Sequence, residues 1–260
     1  MDNTSFCLLT SKNKSIKDLF ELLHDLINEG NLECSPNGIR MLNKSEDKSI
    51  LVYLKLFNTS FEKYQCDTTK ILGFNTEEMF KIIKLVENNE TLTLYVSKDD
   101  ENRLCVQRYN KEENIINTKS LTLYDIRIDD REIKEFDFDN VVVMPSHRFH
   151  KICREFSGFD DKVEIISNNN TLYFKSNGER VRQELIISET EDGITYEKCG
   201  DKSAIYRGLF NLKYLVKFSK CANLCTNIIL HLKNDYPLII ECEMKDFGLI
   251  RLCISEIIDD

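Results

Sequence analysis

Phe74-Asn75-Thr76-Glu77-Glu78-Met79-Phe80-Lys81-Ile82-Ile83-Lys84 decides the fold, because it occurs twice. The second copy is Phe210-Asn211-Leu212-Lys213-Tyr214-Leu215-Val216-Lys217-Phe218-Ser219-Lys220, with Phe, Asn and both lysines (81 and 84, 217 and 220) shifted by the same 136 positions. Each copy runs into a strand-like segment, Thr91–Val96 and Asn227–Leu232. Each then reaches a polar turn, Lys98-Asp99-Asp100 and Lys233-Asn234-Asp235. A second pair of helices repeats with a shift of 130 positions: Leu19, Leu22, Leu23 and Leu26 fall on Phe149, Ile152, Cys153 and Phe156. The chain reads as two copies of one module, each with two amphipathic helices and several strands.

Helical periodicity covers roughly 15–29, 75–88, 145–158 and 209–222. Stepping 100° per residue puts an apolar stripe on one side of each helix and cations on the other. Lys14 and Lys17 oppose the leucine stripe of the first helix, with His24 and Glu21 among them. Lys81 and Lys84 oppose Met79, Ile82, Ile83 and Val86. His147, His150, Lys151 and Arg154 oppose Phe149, Ile152, Cys153 and Phe156. Lys213, Lys217 and Lys220 oppose Leu212, Leu215, Phe218 and Ala222, on a helix without an acidic residue.

An ordinary solvated face accounts for any one of these helices. Four in a chain of net charge −9 are harder to account for that way. The acidic residues crowd elsewhere, at Asp99–Glu101, Glu112-Glu113, Asp129–Glu135, Glu189–Asp192 and Asp259-Asp260. The distribution therefore matters more than the sum. Cations at helical spacing suit the phosphates of a nucleic acid, which need charge but no base-reading geometry.

Between the helices lie alternating runs: Ile50–Phe57, Val163–Ser167, Thr171–Lys175, Glu184–Ser188 and Leu238–Met244. Strands with two helices on one face make each half an α+β layer arrangement. Residues 1–123 and 139–260 are the expected domains. The charged stretch 124–138, with isolated Ile126, Ile128 and Ile133, is the expected exposed connector.

The apolar runs are too short to span a bilayer, and the first residues lack the pattern of a signal peptide, so an intracellular protein with no membrane partner is expected. The 10 cysteines are scattered without a CxxC pair and read mostly as reduced core thiols. Cys221 and Cys225 form a lone pair with no histidine beside them. His147 and His150 have ligand spacing but no third ligand, so no metal and no cofactor is expected. No phosphate loop, dinucleotide fingerprint, nucleophile elbow or HExxH occurs. Asp160-Asp161 reads as a solvated turn. An enzyme, such as a nuclease or nucleotide hydrolase, is the disfavoured alternative class.

Several stretches, in order and correctly spaced over nearly the whole length, resemble the eukaryotic-type DNA sliding clamps, the proliferating cell nuclear antigen family. They are Lys17–Glu29, Asn37-Gly38-Ile39, Tyr64-Gln65-Cys66-Asp67 and Met144-Pro145-Ser146 with Phe149 and Ile152-Cys153-Arg154-Glu155. Leu212-Lys213-Tyr214-Leu215 with Lys220, Asp235-Tyr236-Pro237-Leu238 and Asp246-Phe247-Gly248 complete the set. The resemblance implies the DNA-clamp fold: two similar domains per subunit and a head-to-tail homotrimeric ring, with helices inside and sheets outside. It also implies that Ile116–Tyr124 and Glu179–Ile187 are the strands that pair between subunits.

Duplex DNA would thread the hole, placed there by a clamp loader, and a DNA polymerase and other peptide-motif partners would dock on one face. Lys17, Lys81, Lys84, Lys151, Arg154, Lys213 and Lys220 align with basic inner-helix residues of the family; Lys14, His147 and Lys217 join them from the helix faces read above. His24 stands where the family often has lysine. Leu51, Ile133, Pro237 and Ile258 match apolar positions of the partner groove. Lys44 stands where relatives are apolar, Cys253 where they are aromatic and Glu256 where they have proline. Asn169 takes the place of a lysine that is ubiquitinated in eukaryotic relatives. A nuclear location is implied, or a cytoplasmic replication compartment if the source is viral. Within the same fold, a subunit of a heterotrimeric checkpoint clamp and a monomeric processivity factor are the alternatives.

Overall fold

The computed structural model describes residues 3–126, 137–190, 193–200 and 205–258. The chain divides into two compact units. The first comprises Met1–Glu46, Val52–Asp130 and Met244–Leu249; the second comprises Asp47–Leu51, Arg131–Glu243 and Ile250–Asp260. Most of the stretch 124–138 lies outside the described residues. At its start, the Tyr124 amide donates to the Gly73 carbonyl at 2.9 Å.

The first half runs β1 (Thr4–Thr10), α1 (Asn13–Leu26), β2 (Glu29–Ser35), β3 (Gly38–Lys44), β4 (Ile50–Phe57), β5 (Lys63–Cys66), β6 (Lys70–Asn75), α2 (Thr76–Ile83), β7 (Glu90–Ser97), β8 (Asp100–Asn110) and β9 (Ile115–Thr122). The second half runs β10 (Asn140–Pro145), α3 (Ser146–Phe156), β11 (Lys162–Asn168), β12 (Thr171–Asn177), β13 (Arg182–Ser188), β14 (Thr195–Lys198), β15 (Tyr206–Asn211), α4 (Leu212–Phe218), β16 (Asn227–Leu232), β17 (Leu238–Glu243) and β18 (Gly248–Ile254).

The duplication holds element by element. Both halves read strand, helix, five strands, helix, three strands. Strand order repeats as well: β5-β1-β7-β8-β9 answers to β14-β10-β16-β17-β18, and β4-β3-β2-β6 answers to β13-β12-β11-β15. The fold is α+β, with the helices packed on sheet surfaces through their apolar stripes.

The repeated Phe-Asn is the strand-to-helix junction. Phe74, next to last in β6, pairs with Gly30, and Phe210, next to last in β15, pairs with Val163; both side chains are fully buried. The next residue caps the helix. The Asn75 side chain accepts the Glu78 amide at 3.0 Å, and the Asn211 side chain accepts the Lys213 amide at 2.9 Å. Asparagine suits this place because its short carbonyl reaches amides that the first turn leaves unpaired. The first helical residue then ties back to the paired strand: Thr76 N–H to the Asn28 carbonyl at 2.9 Å, Leu212 N–H to the Asp161 carbonyl at 2.8 Å.

The helices are shorter than their periodicity predicts. Ile27 turns extended after α1, so Asn28 and Glu29 leave the helix. Leu209, Phe210 and Asn211 belong to β15, not to the helix, and α4 proper spans Leu212–Phe218 before tightening into a 3-10 turn, Ser219–Asn223. Apolar residues at the end of a buried strand continue the spacing of the helix that follows, which is why periodicity merged the two.

Two turns show the local chemistry. Gly38, at φ +131°, opens β3; a Cβ there would sit 2.2 Å from the Leu56 carbonyl oxygen. Asn169 and Asn170, both in the left-handed region, form the two-residue hairpin between β11 and β12. Asparagine is among the few residues that adopt this backbone readily. Among the described residues no helix is long and apolar enough to cross a membrane.

Candidate nucleic-acid interface

In the first unit α1 packs against α2. Ile16, Leu19, Leu22, Leu23 and Leu26 bury one face of α1, and Met79 and Ile83 bury one face of α2. Where the helices meet, the His24 ring stacks on the Phe80 ring at 5.5 Å. The cations are left on the outer faces: Lys14, Lys81 and Lys84 are exposed and Lys17 is half-buried. Lys84 caps the C-terminal end of α2 and lies over the Phe80 ring at 5.9 Å.

Lys81 has an acidic neighbour that the helical wheel did not weigh. Its Nζ is 2.5 Å from Glu77, one turn earlier. The hydrogen bond and charge of Lys81 hold the Glu77 carboxyl below its ordinary range. Both side chains are more than half exposed, so water competes with the pair and a phosphate can too.

In the second unit α3 packs against α4 and its 3-10 extension. Phe149, Ile152, Cys153 and Phe156 are buried beneath α3, and Leu212, Tyr214, Leu215 and Phe218 beneath α4. His147, Lys151 and Arg154 are exposed on α3, and Lys213 on α4; Lys217 and Lys220 are half-buried. Lys213 lies over the Tyr214 ring at 5.4 Å. His150 turns aside, its Nδ1 2.8 Å from the Ser219 hydroxyl, which joins α3 to the 3-10 turn. Neither α4 nor the turn carries a carboxylate.

Exposed Arg148 adds a cation on α3, about 100° around the helix from His147, which is why the wheel left it out. Exposed Lys12 adds another at the start of α1, over the Phe247 ring at 5.7 Å. Each unit thus carries a two-helix layer with its fatty faces inward and most of its cations outward. Such a layer can neutralise phosphates.

The residues assigned to a partner groove are less gathered. Lys44 belongs to the first unit; Leu51, Pro237, Cys253 and Ile258 belong to the second. Pro237 is exposed and Ile258 is 86% exposed, while Leu51 and Cys253 are half-buried. Burial pushes the Cys253 thiol up to about 11. Ile133 lies outside the described residues. The Glu256 carboxylate accepts from the Leu209 amide at 3.4 Å, and the Ile257 amide donates to the Leu209 carbonyl at 2.8 Å. These bonds hold Glu256 and Ile257 beside β15.

Among the described residues one group of three metal-capable side chains comes together: Cys221, Cys225 and Cys242, all buried. Sequence spacing showed Cys221 and Cys225. It could not show Cys242, which strand pairing brings in.

Two family models match the chain: the proliferating cell nuclear antigen N-terminal domain over residues 9–132 and the C-terminal domain over residues 132–257. A probable DNA polymerase sliding clamp of Paramecium bursaria Chlorella virus 1 is 30% identical over 262 aligned positions, covering 99% of this chain and 98% of that one. The proliferating cell nuclear antigen of Dictyostelium discoideum is 26% identical over 244 positions, covering 92% and 94%. The crystal structure of the corresponding protein from Entamoeba histolytica superposes with a TM-score of 0.87 at 26% identity, covering 98% of this chain and all of that one.

Proposed function

The chain belongs to the proliferating cell nuclear antigen family, and from that premise we propose that it is a DNA sliding clamp that encircles duplex DNA and tethers a polymerase to it. It is a scaffold, not an enzyme. Three copies close head to tail into a ring, and the basic faces of α1, α2, α3 and α4 line the hole.

The observation that carries this reading is the pairing of a duplicated topology with a duplicated charge pattern. The chain has a net charge of −9, yet cations recur on the outward faces of all four helices. A ring with such a bore holds DNA by topology, and its phosphate contacts are loose enough to slide. Each neutralised phosphate steepens the log–log salt dependence of binding by roughly 0.9.

β9 and β13 each stand last in their run of strands, with Ile116 and Ile186 exposed at 61% and 55%. Exposed apolar edge strands call for a partner, and head-to-tail pairing closes into a ring when the rotation allows. A clamp loader opens that ring. The polymerase and other partners insert an apolar anchor near Leu51, Ile133, Pro237 and Ile258, flanked by Lys44 and Cys253. Ile133→Asp should then weaken peptide binding and leave assembly intact; unchanged affinity in a peptide titration would remove Ile133 from the groove. The chain works in the nucleus, or in a viral replication compartment.

The test of the DNA surface is a quadruple variant, Lys81, Lys84, Lys213 and Lys220 to Ala. These side chains oppose the buried stripes, so fold and assembly should survive. Stimulation of polymerase on a primed circular template should fall at physiological salt, and equally on every sequence. Full stimulation would remove these lysines from the bore. Loss confined to particular sequences would mean base readout, which these lysines are not placed to provide.

A further inference from the structure

Three of the ten thiols meet in the second unit. Cys221 sits in the 3-10 turn after α4, Cys225 follows one helical turn later, and Cys242 comes from β17. Pairing of Ile228 with Cys242 lays β17 beside the start of β16 and so beside Cys225. The three sulfur atoms lie within 4.8 Å of one another. Cys221 and Cys242 are fully buried, and Cys225 is 7% exposed.

The backbone fixes this arrangement. The Cys221 carbonyl accepts the amides of Leu224 at 2.8 Å and Cys225 at 3.1 Å, closing a turn that puts both side chains on one side. The first residue of α3 braces it: Ser146 Oγ lies 2.6 Å from the Cys225 carbonyl. The Cys225 and Cys242 thiols both point at the Cys221 carbonyl, 3.4 and 3.9 Å away. An isolated core thiol behaves as a small hydrophobe and needs no such company.

We propose that Cys221, Cys225 and Cys242 bind one thiophilic metal ion of the zinc(II), cadmium(II) or copper(I) kind through three thiolates. Metal–sulfur bonds of about 2.3 Å hold three sulfurs roughly 4 Å apart, so the spacing seen here needs little adjustment. Thiolate donors select soft ions over magnesium or calcium. On binding, the three S–H bonds break, three metal–sulfur bonds form, and three protons leave to solvent; no electrons are transferred. Cys225, the least buried thiol, is the side from which the ion arrives. The bound ion would pin the turn that carries Lys220 to β17.

The test is a titration of the full chain, reduced and stripped with a chelator, with cadmium(II) in the absence of oxygen. We expect one equivalent per chain, an ultraviolet thiolate-to-metal charge-transfer band, proton release, and competition only from a large excess of zinc(II). Cys221→Ser, Cys225→Ser and Cys242→Ser should each lose the band, and Cys153→Ser should keep it. A wild-type measurement guards against variants that fail to fold. Alkylation followed by mass spectrometry should show cadmium shielding Cys221, Cys225 and Cys242 and leaving the other seven thiols as they were. Absence of a stoichiometric band, or shielding that falls on other cysteines, would overturn the site.

Discussion

Asn75 and Asn211 do one job 136 positions apart, and each should be separately measurable. Replacing either with Ala removes the acceptor that caps α2 or α4. Each change should cost about 1 kcal/mol in chemical denaturation, and an Asp in the same place should restore most of it. No change in either variant would mean that the caps are not what holds these junctions. Phe210, fully buried behind the second cap, should cost more on truncation to Ala, about 3–5 kcal/mol. His231 gives a pH signature. Burial lowers its pKa most, Glu241 pushes it back up, and Arg251 lowers it again. The unfolded chain therefore binds its proton first as pH falls. The stability that neutral His231 contributes is present above about 6.5 and is lost as pH drops from there towards the lower folded value. Most carboxylates titrate below that window. His231→Gln should flatten the stability profile just below pH 6.5; an unchanged profile would show that His231 titrates alike in both states.

At the scale of elements, the four helices and seven of the strands (β4, β7, β11, β12, β13, β16 and β17) were legible because their apolar residues recur at helical or strand spacing. Their ends were less legible, since they are set by partners distant in sequence. Ile27 turns extended because β2 must begin beside β6, and Leu209 to Asn211 are strand because β11 pairs with them. Basic faces could be read from spacing, and so could the Glu77 partner of Lys81, which lies one turn earlier on the same helix. The cysteine cluster was half legible: a helical turn joins Cys221 and Cys225, and a strand register supplies Cys242. The edge strands β9 and β13 make the element-scale prediction. Ile186→Arg puts a charge on an exposed edge position, so it should leave unfolding of the chain nearly unchanged and break the assembly. Its solution mass should drop to the 30.5 kDa of one chain, against three times that for wild type. A variant that keeps the wild-type mass would move the subunit interface off β13.

Two facts meet in the whole molecule that neither half of the chain explains alone. The chain is acidic overall, yet its helices carry outward cations at repeated positions. Free diffusion onto DNA is opposed by the net charge, while DNA held inside a basic bore is screened from it. Binding of this kind is topological: it should survive as long as the DNA has no end and the ring stays closed. The most direct measurement is retention on DNA before and after linearisation. The chain, placed on a nicked circular duplex by a clamp loader at physiological salt, should co-elute with the circle on gel filtration. It should be released when a single restriction cut lets it slide off. Equal retention on circular and linear DNA would contradict encirclement and leave only ordinary electrostatic binding.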